Sequence, residues 1–121
     1  MTKSKINLKS KLESIKDYWS PKVIAELNDY QFKLAKIKDE FIWHEHNDTD
    51  EAFIVIEGDI EIELEDSIVE LSEGEMFIVP KGAKHKPIAR GEAHIMLIEP
   101  RGVKNTGDIE NELTAKNDIW I

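Results

Sequence analysis

Apolar and polar residues alternate along most of the chain after Pro21, and this two-residue period predicts β-strands with one buried face. Turn residues such as Asn28-Asp29, Gly58-Asp59 and Asp66-Ser67 interrupt the alternation at short intervals. Many short strands with turns between them are typical of a β-sandwich or barrel. The predicted strands are KVIAEL, QFKLAKI, FIWHEH, EAFIVIE, IEIELE, IVEL, MFIVP and AHIMLIEP.

Residues 7–19 show a helical period instead, because their apolar positions recur three or four residues apart. This spacing predicts a short amphipathic helix that Asn7 caps and Ser20-Pro21 ends. Such a helix could bind a partner, but its apolar stripe is more simply buried against the chain's own barrel. We therefore expect one domain, in which residues 1–20 pack as a helical segment on the barrel. Residues 21–121 form that barrel and its extended C-terminal tail.

The chain has 121 residues, the size of a single domain, and it contains no cysteine. Disulfides and thiolate metal sites are therefore excluded, as is usual in a reducing compartment. A net charge of −9, from 25 acidic and 16 basic residues, argues against partners such as nucleic acid or an anionic membrane. No apolar stretch has the length of a signal-peptide core or a membrane span, so the sequence predicts a cytoplasmic protein.

His44 and His46 lie two residues apart in a predicted strand, so both imidazoles project from the same face. Glu51 follows the polar loop 47–50, and a hairpin at this loop would return its carboxylate to the two histidines. Glu51 also shares the parity of Phe53, which places it on the buried face. A buried carboxylate is costly unless a positive charge pairs with it, and a divalent cation between Glu51 and the imidazoles would meet that need.

Two longer patterns run through this part of the chain. One reads His44-Glu45-His46, four residues, Glu51, six residues, Gly58, and the other reads Gly74, five residues, Pro80-Lys81-Gly82, two residues, His85. The first pattern resembles the opening motif of the cupin family, and the other resembles the second cupin motif. Two spaced motifs in the correct order are much more specific than a lone pair of histidines.

The resemblance implies an all-β fold, the cupin double-stranded β-helix or jelly-roll barrel, to which the short N-terminal helix is added. It also implies that His44, His46, Glu51 and His85 are the ligands of one metal ion inside the barrel. Sequence spacing alone would not bring His85 to the other three residues. Its place in the site therefore depends on the resemblance.

Two positions depart from the cupin pattern. Lys38-Asp39 stands where the first motif usually opens with glycine, and Ala89 stands where the second usually ends with asparagine. Neither position is a metal ligand in the family. The size of the chain, Trp43 before the first histidine and the tail residues 105–108 resemble the small single-domain cupins of the cupin_2 type that are described as mannose-6-phosphate-isomerase-like. That subgroup is a weak guide to substrate.

Three imidazole nitrogens and one carboxylate oxygen suit a divalent metal ion such as zinc, iron, manganese, nickel or copper, and the sequence does not choose among them. The remaining coordination positions would face water or a substrate, which a catalytic site requires. The alternative is a vestigial site, in which the histidines only make hydrogen bonds inside the barrel. Because all four ligand residues are present, we favour metal binding.

Several other residues have two interpretations. His94 is either a cavity contact or, more simply, a hydrogen-bonded core histidine, and Arg90 is a surface residue that could also meet an anionic substrate. The parity of Phe41 and Trp43 is opposite to that of His44, so we expect both to pack outside the barrel. The residues with the parity of pocket lining or of simple core are Phe53, Val55, Met76 and Ile78.

Two functional hypotheses follow. The first is an enzyme that acts on a small metabolite through isomerase-like, lyase-like or dioxygenase-like chemistry at the open metal positions. The second is a non-catalytic module that senses or stores a small ligand through the metal. The motifs contain no general base other than Glu51, so catalysis would be centred on the metal. Under either hypothesis we expect a small-molecule ligand and a homodimer, because related small cupins commonly pair.

Overall fold

The computed structural model describes residues 4–107 and 109–121, and most of them belong to antiparallel strands or the turns between strands. Asp108, the last of the tail residues 105–108 that resemble small single-domain cupins, lies outside the described residues. The elements are α1 (Leu8–Glu13), β1 (Lys22–Leu27), β2 (Tyr30–Glu40), β3 (Glu51–Glu57), β4 (Ile60–Leu64), β5 (Ile68–Leu71), β6 (Met76–Val79) and β7 (His85–Pro100).

Strand β7 organises the sheet, because it is 16 residues long and pairs with three other strands. Strand β2 pairs along one edge of β7, while β4 and β3 share the other edge, with β4 beside its first part and β3 beside its second. Strands β1 and β6 extend the sheet beyond β2 and β3, and β5 pairs with β4. This arrangement confirms the predicted all-β jelly-roll barrel with a small N-terminal helix.

β7 runs through Gly91 without a break, although the sequence predicted a strand that begins only after this glycine. The reason is that the pairing of β2 with β7 continues on both sides of Gly91. The register of this pair slips between Ile37 and Asp39, where Asp39 has a φ of 64°. Aspartate tolerates this left-handed conformation better than most residues, which explains how the chain dispenses with the usual motif glycine.

The barrel interior is a continuous apolar cluster to which most strands contribute alternate residues. Phe53 and Val55 belong to it, as their parity predicted. The same prediction was wrong for Met76 and Ile78, which are 53% and 50% exposed. The register of β3 with β6 explains the difference, because it sets Phe77 opposite Phe53 and thereby turns the neighbours of Phe77 outward.

Helix α1 is shorter than predicted, because it ends at Glu13 rather than near Trp19. Its beginning is as predicted, since the Asn7 side chain accepts a hydrogen bond from the backbone N–H of Ser10 at 2.9 Å. After the helix, Trp19 adopts a φ of 58° and its backbone N–H donates to the Lys36 carbonyl at 2.9 Å. Pairing with the barrel thus replaces further helical turns over residues 15–19.

The helix and the tail cover the outer face of the sheet. Leu12 and Ile15 pack with Ile24 and Leu34 in a second apolar cluster, and Ile121 contacts the same cluster. The tail reaches this position because Trp120 forms a parallel bridge with Val23. No helix among the described residues has the length and apolar character needed to span a membrane.

Leu12→Ala tests whether the helix is an integral part of the fold. Leu12 is 5% exposed inside the second cluster, so its truncation should lower the free energy of unfolding by about 2–4 kcal/mol. Leu27→Ala is the matched control, because Leu27 is 61% exposed and should cost less than about 1 kcal/mol. Urea unfolding measures both values, and equal effects would show that α1 contributes little to stability.

Candidate metal centre

Residues 41–46 form a loop whose one β-bridge joins His44 to His85, not the strand predicted from FIWHEH. His44 and His46 are nevertheless both buried, while Trp43, which directly precedes His44, is 41% exposed, so the predicted common face is correct. Phe41 does not follow the predicted parity. It is 6% exposed and stacks on Trp19 with ring centroids 4.6 Å apart, because parity does not extend through a segment that is not a strand.

Backbone hydrogen bonds tie this loop to the second motif. The backbone N–H groups of His44 and His85 donate to each other's carbonyl oxygens at 3.0 and 2.9 Å. The Gly82 N–H donates to the His46 carbonyl at 2.9 Å, and the Lys81 N–H donates to Asp50 Oδ1 at 2.8 Å. His85, the first residue of β7, therefore lies directly beside His44.

The four predicted ligand residues come together at one end of the barrel. Each offers one ligand atom, and these atoms all lie within 4.8 Å of one another. His46 Nε2 is 3.3 Å and His85 Nε2 is 3.5 Å from Glu51 Oε1. All four side chains are buried, and His85 is fully enclosed. The structure thus gathers His44, His46, Glu51 and His85 into a cluster of a size that can hold one ion.

Two of the rings are oriented by backbone carbonyl groups. His44 Nδ1 lies 2.9 Å from the Ile42 carbonyl oxygen, and His85 Nδ1 lies 2.9 Å from the Ala83 carbonyl oxygen. A carbonyl oxygen can only accept a hydrogen bond, so Nδ1 carries the hydrogen in both rings and Nε2 keeps its lone pair. Metal-ligating histidines are commonly oriented in this way.

The centre of the cluster contains polar atoms without partners. His46 Nε2, Glu51 Oε1 and His85 Nε2 are all buried and make no hydrogen bond. Unpaired buried groups of this kind are rare and destabilising unless something satisfies them. A divalent cation would satisfy all three, because His46 Nε2 and His85 Nε2 both lie within 3.5 Å of Glu51 Oε1. The donor set therefore fits a metal ion.

Electrostatic effects keep His44 and Glu51 in their metal-binding forms. Burial, reinforced by the neighbouring His85, lowers the pKa of His44 to about 4, so this imidazole is neutral at pH 7. Burial would raise the pKa of Glu51, but close polar contacts with Glu99, His46 and His85 outweigh it and hold that pKa well below its usual range. Glu51 thus supplies one negative charge to a group of imidazoles.

Glu99 and Lys33 lie behind Glu51, and sequence reasoning missed both. Burial and the charge of Glu51 raise the pKa of Glu99 well above its usual range. Lys33 Nζ lies 2.7 Å from Glu99 Oε2, and both side chains are almost fully buried. Strand parity could have found Glu99, because it continues the inward-facing series of Ile95 and Leu97.

A small cavity of about 30 Å³ borders His44 and Glu51. Its walls are mostly apolar, and they include Trp19, Phe41 and, from β3, Phe53. Phe53 is therefore a pocket residue as predicted, whereas Phe41 enters the pocket against expectation.

His94 and Arg90 lie away from this cavity. His94 is held outside the barrel between two carboxylates, with Nε2 2.7 Å from Glu92 and Nδ1 3.1 Å from Glu57. It is neither a cavity contact nor a core histidine, because its position in β7 turns it to the outer face. Arg90 is 74% exposed and pairs with Glu61 at 3.3 Å, as expected for a surface arginine.

The C-terminal tail presses against the metal-site loop at Gly107. A Cβ atom at this position would overlap the carbonyl oxygen of Glu45, and Gly107 has a φ of 66°. The neighbouring Asn105 connects the tail to the cavity wall, because its Nδ2 donates to the Trp19 carbonyl at 2.9 Å. One turn of the tail thus fixes both the loop that carries His46 and the wall that faces His44.

Comparison with known proteins agrees with this geometry. The family model Cupin_2, described as a cupin domain, matches residues 31–100. The crystal structure of a cupin-2 domain containing protein from Shewanella frigidimarina NCIMB 400 is 55% identical, with a TM-score of 0.78 over 79% of this chain and 94% of that chain. Protein NMB1881 from Neisseria meningitidis is 36% identical, with a TM-score of 0.74 over 80% of this chain and 99% of that chain.

A relative in Bacillus subtilis (strain 168), the uncharacterized protein YdbB, is 35% identical over 81 residues. The matched region covers 66% of this chain and 72% of that protein.

Gly107→Ala tests the contact between the tail and the loop. The new methyl group must displace the Glu45 peptide from a conformation that already disfavours side chains, so we expect a loss of about 2–4 kcal/mol in unfolding free energy. Gly102→Ala is the control, since Gly102 also has a positive φ, 91°, but nothing lies within 4 Å of its added Cβ. Its expected cost is about 1 kcal/mol. Equal costs in urea unfolding would contradict a close contact at Gly107.

Proposed function

The chain belongs to the Cupin_2 family of cupin domains, and we propose that it is a metal-dependent enzyme whose His44, His46, Glu51 and His85 hold one divalent ion. The unpaired ligand atoms at the centre of the cluster carry this proposal, because a cation is the simplest group that satisfies them together. The adjoining cavity of about 30 Å³ supports it as well, since a water molecule or one group of a ligand in that space would lie next to the ion. Zinc, iron, manganese, nickel and copper all suit the donor set.

The chain's own residues would hold and orient the ion. The carbonyl oxygens of Ile42 and Ala83 fix two imidazole rings with Nε2 directed inward, and Glu51 contributes the negative charge. A bound divalent ion would supply Lewis acidity or, if it is redox-active, a site for dioxygen chemistry. Isomerase-like, lyase-like and dioxygenase-like reactions are the classes that we propose, and the mannose-6-phosphate-isomerase-like subgroup remains a proposal drawn from the sequence resemblance.

The alternative is a module that senses or stores a small ligand without converting it. Among the described residues that line the cavity, only His44, Glu51 and Asn105 are polar, so an additional acid or base is not at hand. This observation agrees with chemistry centred on the metal and also with simple binding. Oxygen uptake by an iron-loaded protein with candidate substrates would favour the enzyme, while tightly held zinc without turnover would favour the binding module. A cytoplasmic location stays a prediction.

Metal content of purified variants tests the proposed site. His46→Ala removes one ligand and the imidazole nearest to Glu51 Oε1, so metal retained after purification without chelator should fall about tenfold or more. His94→Ala is the matched control, because His94 lies on the outer face, and it should retain as much metal as the wild type. Equal and negligible metal in the wild type and His46→Ala would overturn the proposal.

We also propose that two chains pair through the outer face of β3 and β6. Met76 and Ile78 are half-exposed on β6, which ends the strand order of the sheet, and Ile54 lies opposite Met76 on β3. An apolar edge of this kind is usually covered in solution. A second copy would cover it with the same residues in a two-fold arrangement.

Ile78→Lys should convert such a dimer into a monomer, because it buries an unpaired charge at the two-fold contact. Ile68→Lys is the control, since Ile68 is 58% exposed on β5, which pairs with β4 and not with β3 or β6. Light scattering after size-exclusion chromatography measures the mass of each variant. A wild-type monomer, or dissociation by Ile68→Lys alone, would show that the face is assigned wrongly.

A further inference from the structure

Four buried polar residues lie side by side on adjacent strands, at the end of the barrel that carries the predicted metal ligands. Strand β2 supplies Gln31 and Lys33, β7 supplies Glu99 and β3 supplies Glu51. All four are almost fully buried. Gln31 pairs with Glu99 across β2 and β7, and the pairing of β3 with β7 brings Glu51 to the other side of Glu99. Lysine and glutamate are rarely buried to this degree unless they are paired, so the contacts of each one are informative.

Lys33 is the cation of this row, and its contacts all lie inside the protein. Its Nζ donates to Glu99 Oε2 at 2.7 Å, to the Val103 carbonyl at 3.1 Å and to Asn117 Oδ1 at 3.5 Å. An ammonium group has three hydrogens to donate, and these three acceptors account for all of them. Lys33 is therefore fixed between β7 and the tail, and it holds the Glu99 carboxyl group from one side.

Glu51, on the other side of Glu99, has an orientation that a neighbouring imidazole alone does not favour. Glu51 Oε1 lies 3.5 Å from His85 Nε2, and this nitrogen presents a lone pair because Nδ1 donates its hydrogen to the Ala83 carbonyl. A carboxylate oxygen and a nitrogen lone pair are both acceptors, so they repel each other until a cation lies between them. The close polar contact of Glu51 with Glu99 holds the carboxylate from behind.

The stability of the fold does not account for an ion pair at this point. Removing two charges from water is costly, and a buried ion pair is often no more stabilising than apolar residues of similar volume. The barrel accommodates such residues here, since Ile95 and Leu97 precede Glu99 on the same face of β7 and belong to the apolar cluster. The pair of Lys33 and Glu99 is better explained by the group that it supports, which is Glu51.

We propose that Lys33 and Glu99 are positioning residues of the metal site: Lys33 fixes Glu99, and Glu99 holds Glu51 with Oε1 directed at the imidazole nitrogens before an ion binds. The inference deepens the proposed function and rests on it, because a carboxylate that is already oriented needs no rearrangement when the ion arrives. Neither Lys33 nor Glu99 belongs to the ligand set. Removal of residues that orient a metal ligand in this way typically lowers metal affinity about 10- to 100-fold.

Zinc affinity, measured by competition with a chromophoric chelator, tests this role. Lys33→Met combined with Glu99→Leu replaces the ion pair by apolar side chains of similar size, so urea unfolding should show a chain about as stable as the wild type. Its zinc affinity should nevertheless fall about 10- to 100-fold, because Glu51 loses the group behind it. The visible absorption spectrum of the cobalt(II)-loaded protein, which reports the arrangement of the ligands, should change as well.

Glu99→Gln and Lys36→Met are the matched controls. Glutamine has the shape of glutamate and can accept from Lys33 while it donates to Glu51, so zinc affinity should stay within about threefold of the wild type and the cobalt spectrum should be retained. Lys36 lies on the same strand as Lys33 and donates to the Ile15 carbonyl at 2.9 Å, but it pairs with His94 on the outer face. Its replacement should leave zinc affinity unchanged.

Lys33→Gln serves as the second variant if the double variant does not fold. It removes the charge and shortens the side chain, so Glu99 is held less firmly and zinc affinity should fall about fivefold or more.

The possible failures are distinguishable. If the wild type binds no zinc, the proposed function and this inference both fall. If the wild type binds zinc and the double variant, or Lys33→Gln in its place, binds it as tightly, only the inference is overturned. An equal loss of affinity in Lys36→Met would also overturn it, because general destabilisation would then be the cause. An equal loss in Glu99→Gln would do the same, since that variant keeps the contacts to which the effect is assigned.

Discussion

Glu51 places an ionised carboxylate where water does not reach, and its desolvation must be offset by neighbours. Three imidazoles surround its Oε1 side, and Glu99 with Lys33 lies behind it. The bridge between His44 and His85 brings two of these imidazoles together. The pairing of β3 with β6 fixes the strand end that carries Glu51. The residues at this end of the barrel are therefore arranged around the buried charge of Glu51. A cation between the ligand atoms would neutralise that charge.

The two ends of the chain are part of the same arrangement. Trp19 comes from the segment before β1, and Asn105 comes from the tail, yet a hydrogen bond joins them at the cavity. Gly107, two residues later, contacts the loop that carries His46. Segments that look peripheral in the sequence thus form the wall of the cavity and support one ligand residue. For this reason we expect substitutions in the tail to affect the metal site.

Sequence reasoning predicted the features that depend on local alternation and spacing. Every predicted strand except FIWHEH, the common face of His44 and His46, and the burial of Glu51 follow from alternation and parity, and the motif resemblance added His85. Parity failed where no regular strand exists, as at Phe41, and where register rather than alternation decides the inward side, as at Met76 and Ile78. The helix was overestimated because tertiary pairing of Trp19 outweighs helical periodicity, a competition that the sequence alone does not reveal.

X-ray absorption spectroscopy on the metal that copurifies with the chain tests the central claim most directly, because it reports which atoms surround the ion. Three imidazole nitrogens and one carboxylate oxygen should appear, at about 2.0–2.2 Å if the ion is zinc, with further oxygen from water at the open positions. The imidazole signal should diminish in His85→Ala. A shell made of oxygen alone, or one unchanged by that substitution, would contradict the assignment of the buried histidines and Glu51 as the metal ligands.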